Sequence, residues 1–290
     1  MLAVGQVTEH AAAKVNLTLQ IRGKRSDGYH EVESLVLFAD YGDTLSFESS
    51  ETFSLFVDGP FAGALERSGN LIEKAALAYA ERIGKTASGA FHLTKRLPVA
   101  AGIGGGSADA AAAFRLLKRH FGEPGSLSEL VLAASKIGAD IPACLMSSAS
   151  IMTGIGEKLH PLPRLEPIPA ILVNPMQPLP TAPVFRALVS DPLPDDFVGP
   201  EFPRLATSDD VIAYALAGSN DLEPPARSLL PVIDEVLALL EELPGVLLRR
   251  LSGSGPTCFA IFGNMHEAED AVRMIAHKRP EWWVQAARLA

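Results

Sequence analysis

Apolar and polar residues alternate along several short stretches of the chain, a period that predicts β-strands with one buried face. The first stretch covers residues 12–22. The second covers residues 32–49 and contains the sequence Tyr41-Gly42-Asp43, which we interpret as the turn of a hairpin because glycine and aspartate favour tight turns. Further strands are predicted at 89–98, 169–175 and 282–289, and a unit of strand, glycine turn and strand is predicted at 245–263.

Other stretches repeat their apolar residues at the helical period. The stretch from Asn70 to Gly84 predicts a helix, because a polar residue can cap its start and a glycine can end it. A second helix is predicted from about Ser107 to Phe121, and its apolar residues fall on one face. These residues are Ala110, Ala113, Phe114, Leu117 and Phe121.

The remaining helices and their arrangement set the fold class. Ser126 and Glu129 have the spacing of a capping box, so a helix is predicted that ends at Gly138. Others are predicted around 208–217, 229–242 and 266–278. Because strands and helices are mixed throughout, the class is α/β or α+β. Residues 161–204 are rich in proline and predict an irregular crossing near a domain boundary.

Composition narrows the protein class. The 290 residues suffice for one large domain or two ordinary ones, and the 48% apolar content predicts a packed core. No run of about 18 apolar residues occurs, which argues against a membrane span, and the first residues lack the pattern of a signal peptide. The net charge of −9, with no basic cluster, disfavours nucleic acid as the main partner. Cys144 and Cys258 are far apart and predict buried free thiols in a reducing cytoplasm.

Four glycines lie between Gly102 and Gly106, after a predicted strand and before a predicted helix. Exposed backbone N–H groups and the positive end of a helix dipole suit an anion, above all a phosphate. A tight turn without a ligand is the simpler alternative, although a turn needs fewer glycines. Ser107 occupies the position of the third glycine in the dinucleotide-binding fingerprint and in the protein-kinase loop, so neither motif is present. A P-loop is excluded as well, because Ser107-Ala108-Asp109 occupies the place of its final residues.

The glycine stretch PVAAGIGGGSA resembles the ATP loop of the GHMP kinases. AAAKVNLTL resembles their N-terminal motif and LSGSGPTCFAIF their C-terminal glycine motif, in the expected order. The segments KRSDGYH, GADIPACL and PTAPVF resemble one branch of that family, the kinases of a cytidine diphosphate sugar alcohol. Ala108 departs from the family pattern, because relatives often have a second serine there.

The resemblance implies an α+β, two-domain GHMP kinase fold. Residues 1–165 would form a ribosomal-protein-like domain that binds ATP, and residues 166–290 would form a ferredoxin-like C-terminal domain. As an alternative, the last strand would return to the N-terminal domain. It also implies transfer of phosphate from ATP to the 2-hydroxyl of the sugar alcohol, on the non-mevalonate route to isoprenoid precursors.

Two charged residues are the catalytic candidates. Without the resemblance, Asp140 would be interpreted as a turn aspartate and Lys14 as an edge lysine whose ammonium reaches water. The resemblance implies that Asp140 accepts the proton of the hydroxyl and that Lys14 keeps this carboxylate ionised. We expect extended chain at Asp140, because it precedes Pro142.

The resemblance also implies the binding residues. A core or surface position is the alternative for most of them, above all for Phe185. The substrate residues are Asn16, Tyr29, His30, Thr181, Phe185, Gly253, Ser254 and Gly255, with Tyr29 and Phe185 stacking on cytosine and His30 contacting its edge. The ATP residues are Pro98, Gly102, Ile103, Gly104, Gly105, Gly106 and Ser107, with Asn70 and Lys95 near the adenine and the phosphates. Magnesium is expected with ATP, held by phosphate oxygens and water, and no histidine spacing indicates a resident metal.

Two alternatives remain. Another GHMP kinase, of the homoserine or mevalonate type, would not need aromatic residues around a base. A non-catalytic nucleotide-binding protein on the same fold would not need both Lys14 and Asp140.

Overall fold

The computed structural model of the chain describes residues 7–65 and 70–290. The strands are β1 (Val7–Asn16), β2 (Gln20–Lys24), β3 (His30–Glu48), β4 (Phe53–Asp58), β5 (Gly89–Thr94), β6 (Ser150–Gly154), β7 (Lys158–Pro161), β8 (Ile168–Asn174), β9 (Val246–Leu251), β10 (Cys258–Phe262) and β11 (Trp283–Leu289). The α-helices are α1 (Leu71–Arg82), α2 (Gly105–Phe121), α3 (Val131–Ser135), α4 (Ile141–Met146), α5 (Thr181–Ala187), α6 (Ser208–Ala217), α7 (Glu223–Leu229), α8 (Val232–Glu241) and α9 (Met265–Lys278). Short 3₁₀ helices cover Ala62–Ala64 and Leu127–Leu130.

These elements form two compact units, each assembled from segments that are distant in sequence. Unit 1 contains the described residues within Met1–Lys14, Tyr41–Val99 and Gly104–Ser147. Unit 2 contains Val15–Asp40, Ala100–Ile103 and Ser148–Ala290. The sequence-based division at residue 165 concerns the domains of the resembled family, and it stays a prediction.

Unit 1 places helices against a small mixed sheet. β5 pairs in parallel with β4 and antiparallel with the later part of β3. The apolar face of α1 packs on α2, where the rings of Tyr79 and Phe114 lie 6.4 Å apart between centroids. α2 also contacts α4, so the start of α2 and the start of α4 are held in one packed body.

Unit 2 contains a ferredoxin-like arrangement. The order along the chain is β8, α8, β9, β10, α9 and β11, and the strands lie side by side as β11-β8-β10-β9, all antiparallel. This is the split βαβ topology. Its core is apolar and includes Ile171, Val173, Val236, Phe262 and Ile275, all at most 1% exposed. The predicted α+β class and the ferredoxin-like topology are confirmed.

The predicted hairpin at Tyr41-Gly42-Asp43 is wrong, because β3 continues through it as one strand of 19 residues. A Cβ atom on Gly42 would lie 2.2 Å from the carbonyl oxygen of Ala11 and 2.8 Å from the Cα atom of Ala12. Gly42 therefore allows a close approach of two backbones rather than a turn.

Other predicted elements differ in extent. The strand at 12–22 is two strands, β1 and β2, because the chain leaves the sheet at residues 17–19. The helix at 126–138 is a 3₁₀ turn followed by α3, and its capping box of Ser126 and Glu129 is present. α5 lies within the stretch predicted to be irregular, and α7 begins with two prolines in its first turn, where proline is tolerated.

Candidate active site

Lys14 and Asp140 form an ion pair within unit 1. Lys14 lies near the end of β1, where every residue is buried, and Asp140 directly precedes α4. The Nζ atom of Lys14 donates a hydrogen bond to Oδ1 of Asp140 at 2.5 Å. The lysine side chain is 4% exposed and the aspartate side chain is 42% exposed. The pair therefore presents a carboxylate to solvent and keeps the opposite charge inside the protein.

The backbone at Asp140 is helical, not extended as predicted. Its φ of −82° and ψ of −17° lie in the right-handed helical region, and Pro142 falls in the first turn of α4. The prediction fails because a proline in the first turn of a helix lacks an N–H group that would have no partner there in any case. Since α4 is almost wholly buried, this geometry fixes the position of Asp140.

The second half of the glycine loop lies next to this pair. α2 begins at Gly105, so the N–H groups of Gly105, Gly106 and Ser107 are in its first turn, where no helical acceptor is available. Gly104 has a φ of +64°, and a Cβ atom on it would lie 3.2 Å from the Cβ atom of Lys14. The start of α2 thus places free donors and a positive helix end beside Lys14, as an anion site requires.

The first half of the glycine loop belongs to unit 2, where it packs on the C-terminal glycine motif. Ser252 Oγ donates to the carbonyl oxygen of Gly102 at 3.1 Å, and Thr257 N donates to the carbonyl oxygen of Ala101 at 3.2 Å. A Cβ atom on Gly102 would lie 2.7 Å from the backbone nitrogen of Gly255. Part of the glycine content is therefore explained by contact between the two motifs.

Asn16 is almost fully buried in unit 2, at 3% exposure. Its backbone N–H donates to Ser252 Oγ at 3.1 Å, and its amide nitrogen donates to Ser34 Oγ at 2.7 Å. A Cβ atom on Gly253 would lie 3.3 Å from Oδ1 of Asn16. The structure thus joins the predicted residues Asn16 and Gly253 through a polar network, and the contact of Asn16 with a substrate stays a prediction.

The residues predicted to bind cytosine also lie in unit 2. The rings of His30 and Phe185 face each other at 5.5 Å between centroids, tilted by 34°. His30 Nε2 lies 3.0 Å from Ser190 Oγ. Burial, with a smaller effect of Lys24, lowers the pKa of His30 below its usual value, so the ring favours its neutral form. Tyr29 is 61% exposed, which leaves its ring free to stack on a ligand.

Thr181 and Ser254 are brought together as well. Thr181 begins α5, and its Oγ1 lies 2.8 Å from Ser254 Oγ in the C-terminal glycine motif. Predicted residues from three motifs of unit 2 are therefore linked by short contacts, which sequence separation alone does not reveal.

Lys95 and Asn70 have structural partners. Lys95 Nζ donates to Asp43 Oδ2 at 2.5 Å and to Asp109 Oδ2 at 2.7 Å, and the lysine side chain is 2% exposed. Asn70 caps α1, since its Oδ1 accepts from the N–H of Ile72 at 2.8 Å. Both predicted roles near ATP remain untested, and the burial of Lys95 favours a supporting role.

The other loop residues are mostly packed. Pro98 is buried, Ile103 is 1% exposed, and Ala108, the departure from the family pattern, is 2% exposed within α2. Gly106 is the exposed member of the loop. The sequence interpretation missed Asp43, Asp109, Ser190 and Ser252. Asp109 had a detectable signal, because it is a charged residue on the apolar face of a predicted helix.

Three further findings concern the described part of the chain. It contains no group of three or more His, Cys, Asp or Glu side chains placed to hold a metal ion. None of its helices is both long enough and apolar enough to cross a membrane. Cys144 and Cys258 are buried and unbridged, as predicted.

Two family models match the chain. The GHMP kinases N terminal domain matches residues 70–148, and the GHMP kinases C terminal domain matches residues 209–280. A 4-diphosphocytidyl-2-C-methyl-D-erythritol kinase from Rhodopseudomonas palustris is 47% identical, and the match covers 99% of each chain. The kinase of that name from Paramagnetospirillum magneticum is 47% identical, over 96% of this chain and 97% of the relative.

Solved structures agree with these matches. A crystal structure of 4-(cytidine 5'-diphospho)-2C-methyl-D-erythritol kinase superposes with a TM-score of 0.78 at 33% identity, covering 98% of this chain and 99% of that one. Homoserine kinase from Cytophaga hutchinsonii gives a TM-score of 0.70 at 17% identity, covering 97% and 94%, and shares the fold. The two-domain fold implied by the three motifs is confirmed.

Proposed function

The chain belongs to the GHMP kinases, and within them to the 4-diphosphocytidyl-2-C-methyl-D-erythritol kinases, and from this membership we propose that it phosphorylates the compound for which these relatives are named. The γ-phosphoryl group of ATP passes to the 2-hydroxyl of 4-diphosphocytidyl-2-C-methyl-D-erythritol, a step toward isoprenoid precursors. The observation that carries the chemistry is the pairing of a buried Lys14 with a half-exposed Asp140 at 2.5 Å.

The pair performs the proton transfer. As the substrate oxygen attacks the γ-phosphorus, its proton passes to the exposed oxygen of Asp140, and the bond to ADP breaks. The ammonium of Lys14 holds the Asp140 carboxylate in place through their hydrogen bond and stabilises the negative charge that develops on the substrate oxygen. Holding Lys14 at 4% exposure increases both effects, because less water screens its charge.

The start of α2 binds the phosphates. The N–H groups of Gly105, Gly106 and Ser107 point out of the first turn, and the helix dipole adds positive potential. The contact between Gly104 and Lys14 brings this anion site to the ion pair, so the phosphoryl group and the base meet within unit 1.

Magnesium is proposed to arrive with ATP. Such an ion would be held mainly by phosphate oxygens and water. When bound, the ion neutralises charge on the phosphate oxygens. The N–H donors of the glycine loop would hold the phosphate oxygens that carry this ion, and they do not ligate the ion themselves.

Recognition of cytidine is assigned to unit 2. Phe185 and Tyr29 offer ring faces for stacking, and His30 offers a mostly neutral ring and its backbone to the base edge. Thr181 and Ser254 supply hydroxyl groups nearby. This set distinguishes the proposed substrate from homoserine and mevalonate, which carry no base.

The test is turnover by an Asp140→Asn variant. Asparagine keeps the shape and removes the charge, so we expect turnover to fall by about 10²–10⁴ with ATP binding retained. Phosphorus NMR of a reaction with ATP and the cytidine substrate identifies the product. The matched control is Asp234→Asn, because Asp234 is also ion-paired and 49% exposed but lies on α8.

Two outcomes would contradict the proposal. Near-normal turnover by folded Asp140→Asn would remove this residue from the chemistry. Absence of a phosphorylated cytidine product from the unaltered protein would reject the substrate.

A further inference from the structure

Beneath the start of α2 lies a buried cluster of three charged side chains, Asp43, Lys95 and Asp109, which we call the ion triad. Asp43 comes from β3, Lys95 follows β5, and Asp109 is one turn into α2. Lys95 Nζ lies 2.5 Å from Asp43 Oδ2 and 2.7 Å from Asp109 Oδ2. All three side chains are at most 3% exposed, so no substrate touches them directly.

The ion triad connects the two flanks of the glycine loop. On one flank, Asp43 Oδ1 accepts from the N–H groups of Arg96 and Leu97 at 2.5 and 2.8 Å. On the other flank, a Cβ atom on Gly105 would lie 3.2 Å from Lys95 Nζ. Residues 95–97 before the loop and residues 105–109 after it are therefore joined through one ammonium group.

The charges of the triad do not balance. Two carboxylates face one ammonium, and Asp109 Oδ1 is buried without a hydrogen-bond partner among the described residues. An unpaired buried carboxylate oxygen is costly, and a proton on it removes the larger part of that cost, which is the burial of a second negative charge. The geometry alone thus indicates that the triad can hold one proton, at Asp109 Oδ1.

We propose that Asp43 and Asp109 are positioning residues for ATP: through Lys95 they fix the start of α2, and the proton on Asp109 sets the charge beneath the phosphate site. This proposal rests on the proposed function only in taking ATP as the ligand of the loop. Loss of the link lets the donors of Gly105 and Gly106 move apart, and loss of the proton adds a negative charge below bound phosphates. Either change weakens ATP binding.

Electrostatics supports the second part. Burial raises the pKa of Asp109 to about 7, against the opposing effect of Lys95. Burial disfavours the charged form of Lys95 as well, but the two carboxylates outweigh it and its pKa lies above the usual value. The proton on Asp109 is therefore gained or lost near neutral pH.

Other titratable groups lie on the elements around α2. Cys144 on α4 is buried, which raises its pKa to about 12, so the thiol stays neutral. From β1, the charge of Lys14 is paired with Asp140. From α1, burial raises the pKa of Tyr79, whose hydroxyl donates to Glu123 at the far end of α2. Asp109 is thus the titrating group near neutral pH among these neighbours.

The experiment measures the dissociation constant of Mg-ATP by calorimetry, with kcat and both KM values, for Asp109→Ala and Asp109→Asn at about pH 6 and about pH 8. The matched control is Glu9→Gln, because Glu9 also holds α2 through ion pairs, a partly buried one with Arg115 and an exposed one with Arg119. Circular dichroism and thermal unfolding establish that each variant is folded.

We expect Asp109→Ala to weaken ATP binding about tenfold at about pH 6 and by less at about pH 8, where the unaltered protein carries the extra negative charge. The values of kcat at saturating ATP and of KM for the cytidine substrate stay within about threefold. Asp109→Asn keeps an acceptor for Lys95 and cannot ionise. At low pH we expect Asp109→Asn and the unaltered protein to bind ATP with nearly equal affinity. At high pH we expect the variant to bind ATP more tightly than the unaltered protein does. ATP itself titrates in this range, equally in every sample, so the comparison between proteins isolates Asp109.

Three results would overturn the proposal. The first is normal ATP binding by folded Asp109→Ala, and the second is equal weakening by Glu9→Gln, which would indicate general loosening of α2. The third is an ATP affinity that changes with pH in the same way for Asp109→Asn and for the unaltered protein. This third result alone tests the proposal if Asp109→Ala does not fold. Because calorimetry uses ATP alone, these results do not depend on whether the cytidine compound is the substrate.

Discussion

Unit 1 contains two lysines that pair with aspartates at about the same distance, and their surroundings differ. Lys14 pairs with Asp140 at 2.5 Å, and Lys95 pairs with Asp43 at 2.5 Å and with Asp109 at 2.7 Å. Asp140 is 42% exposed, whereas Asp43 and Asp109 are at most 3% exposed. The distances alone would not tell the two sites apart.

The difference in exposure separates chemistry from support. A carboxylate that water reaches can also be reached by a substrate hydroxyl, so the first pair can transfer a proton. A carboxylate sealed from solvent meets only its protein partners, so the second cluster can hold backbone in place and store a proton. The same residue types are therefore suited to two tasks, and access to the solvent determines which one.

Replacing each lysine by methionine gives the largest contrast. We expect Lys14→Met to lower turnover by about 10²–10³, since a charge that stabilises the reacting oxygen is lost, with stability changed by less than about 1 kcal/mol. Lys95→Met leaves two buried carboxylates without a counter-charge, which lowers the free energy of unfolding by about 3–5 kcal/mol. Steady-state kinetics and urea unfolding measure both. Equal stability losses in the two variants would contradict the distinction.

The pH dependence of stability tests the sealed cluster alone. Unfolded Asp109 releases its proton near pH 3.8 and folded Asp109 near pH 7, so between these values the folded state holds a proton that the unfolded state has lost. The stabilising contribution is complete below the lower value and disappears as pH rises through the higher one. We expect the free energy of unfolding to fall by about 2–4 kcal/mol over this interval relative to Asp109→Asn. Parallel curves for the two proteins would exclude the titration.

Substituting valine for Gly104 tests whether the glycine loop binds ATP beside the solvent-accessible pair of Lys14 and Asp140. Gly104 has a φ of +64°, and a side chain there crowds Lys14 and the anion site. We expect Gly104→Val to weaken ATP binding by at least about tenfold, or roughly 1.4–3 kcal/mol. Gly122→Val is the matched control, because Gly122 has a φ of +61° at the other end of α2 with nothing within 4 Å of a Cβ atom. If both variants bind ATP normally, the loop is only a turn.

Removing the ring of Phe185 tests the cytidine recognition that is proposed for unit 2. We expect Phe185→Ala to weaken binding of CDP and of the cytidine substrate by roughly 1–3 kcal/mol, because a stacking face is lost, with ATP affinity unchanged. Phe202→Ala is the matched control, since the ring of Phe202 also faces a histidine, His160, at 5.0 Å. Competition titrations against both nucleotides measure the effect. Equal losses for ATP and CDP would show that the cytidine site is misplaced.

Local patterns predicted most of the fold. The period of apolar residues located α2, and the cap residue Asn70 located the start of α1 within one residue. The catalytic candidates Lys14 and Asp140 came from a motif resemblance, and the structure brings them into contact across 126 residues. Residue propensity alone would have assigned Lys14 to a strand edge and Asp140 to a turn, with no catalytic role for either residue.

The wrong turn at Gly42 and the unforeseen enclosure of Lys95 have one physical cause, which is contact between segments distant in sequence. Gly42 has the local signature of a turn, but its role is decided by the backbone of Ala11 and Ala12. Lys95 matches a family position near the phosphates of ATP, and its sequence neighbours do not indicate that Asp43 and Asp109 enclose it. A single sequence does not state which distant residue will cover a given side chain, and burial is the property that distinguishes the two lysines.

The interleaving of segments in unit 2 bears on how the protein is made. The N–H of Arg288 in β11 donates to Asp40 Oδ1 across 248 residues, and β11 also completes the pairing of β8. On the ribosome, the edge of β8 that pairs with β11 stays open until β11 has been synthesised. Strand pairings between residues so distant in sequence slow folding. Until they form, the unpaired strand edge is exposed and can aggregate with other chains. Synthesis rate and chaperone supply therefore become determinants of the yield of active enzyme.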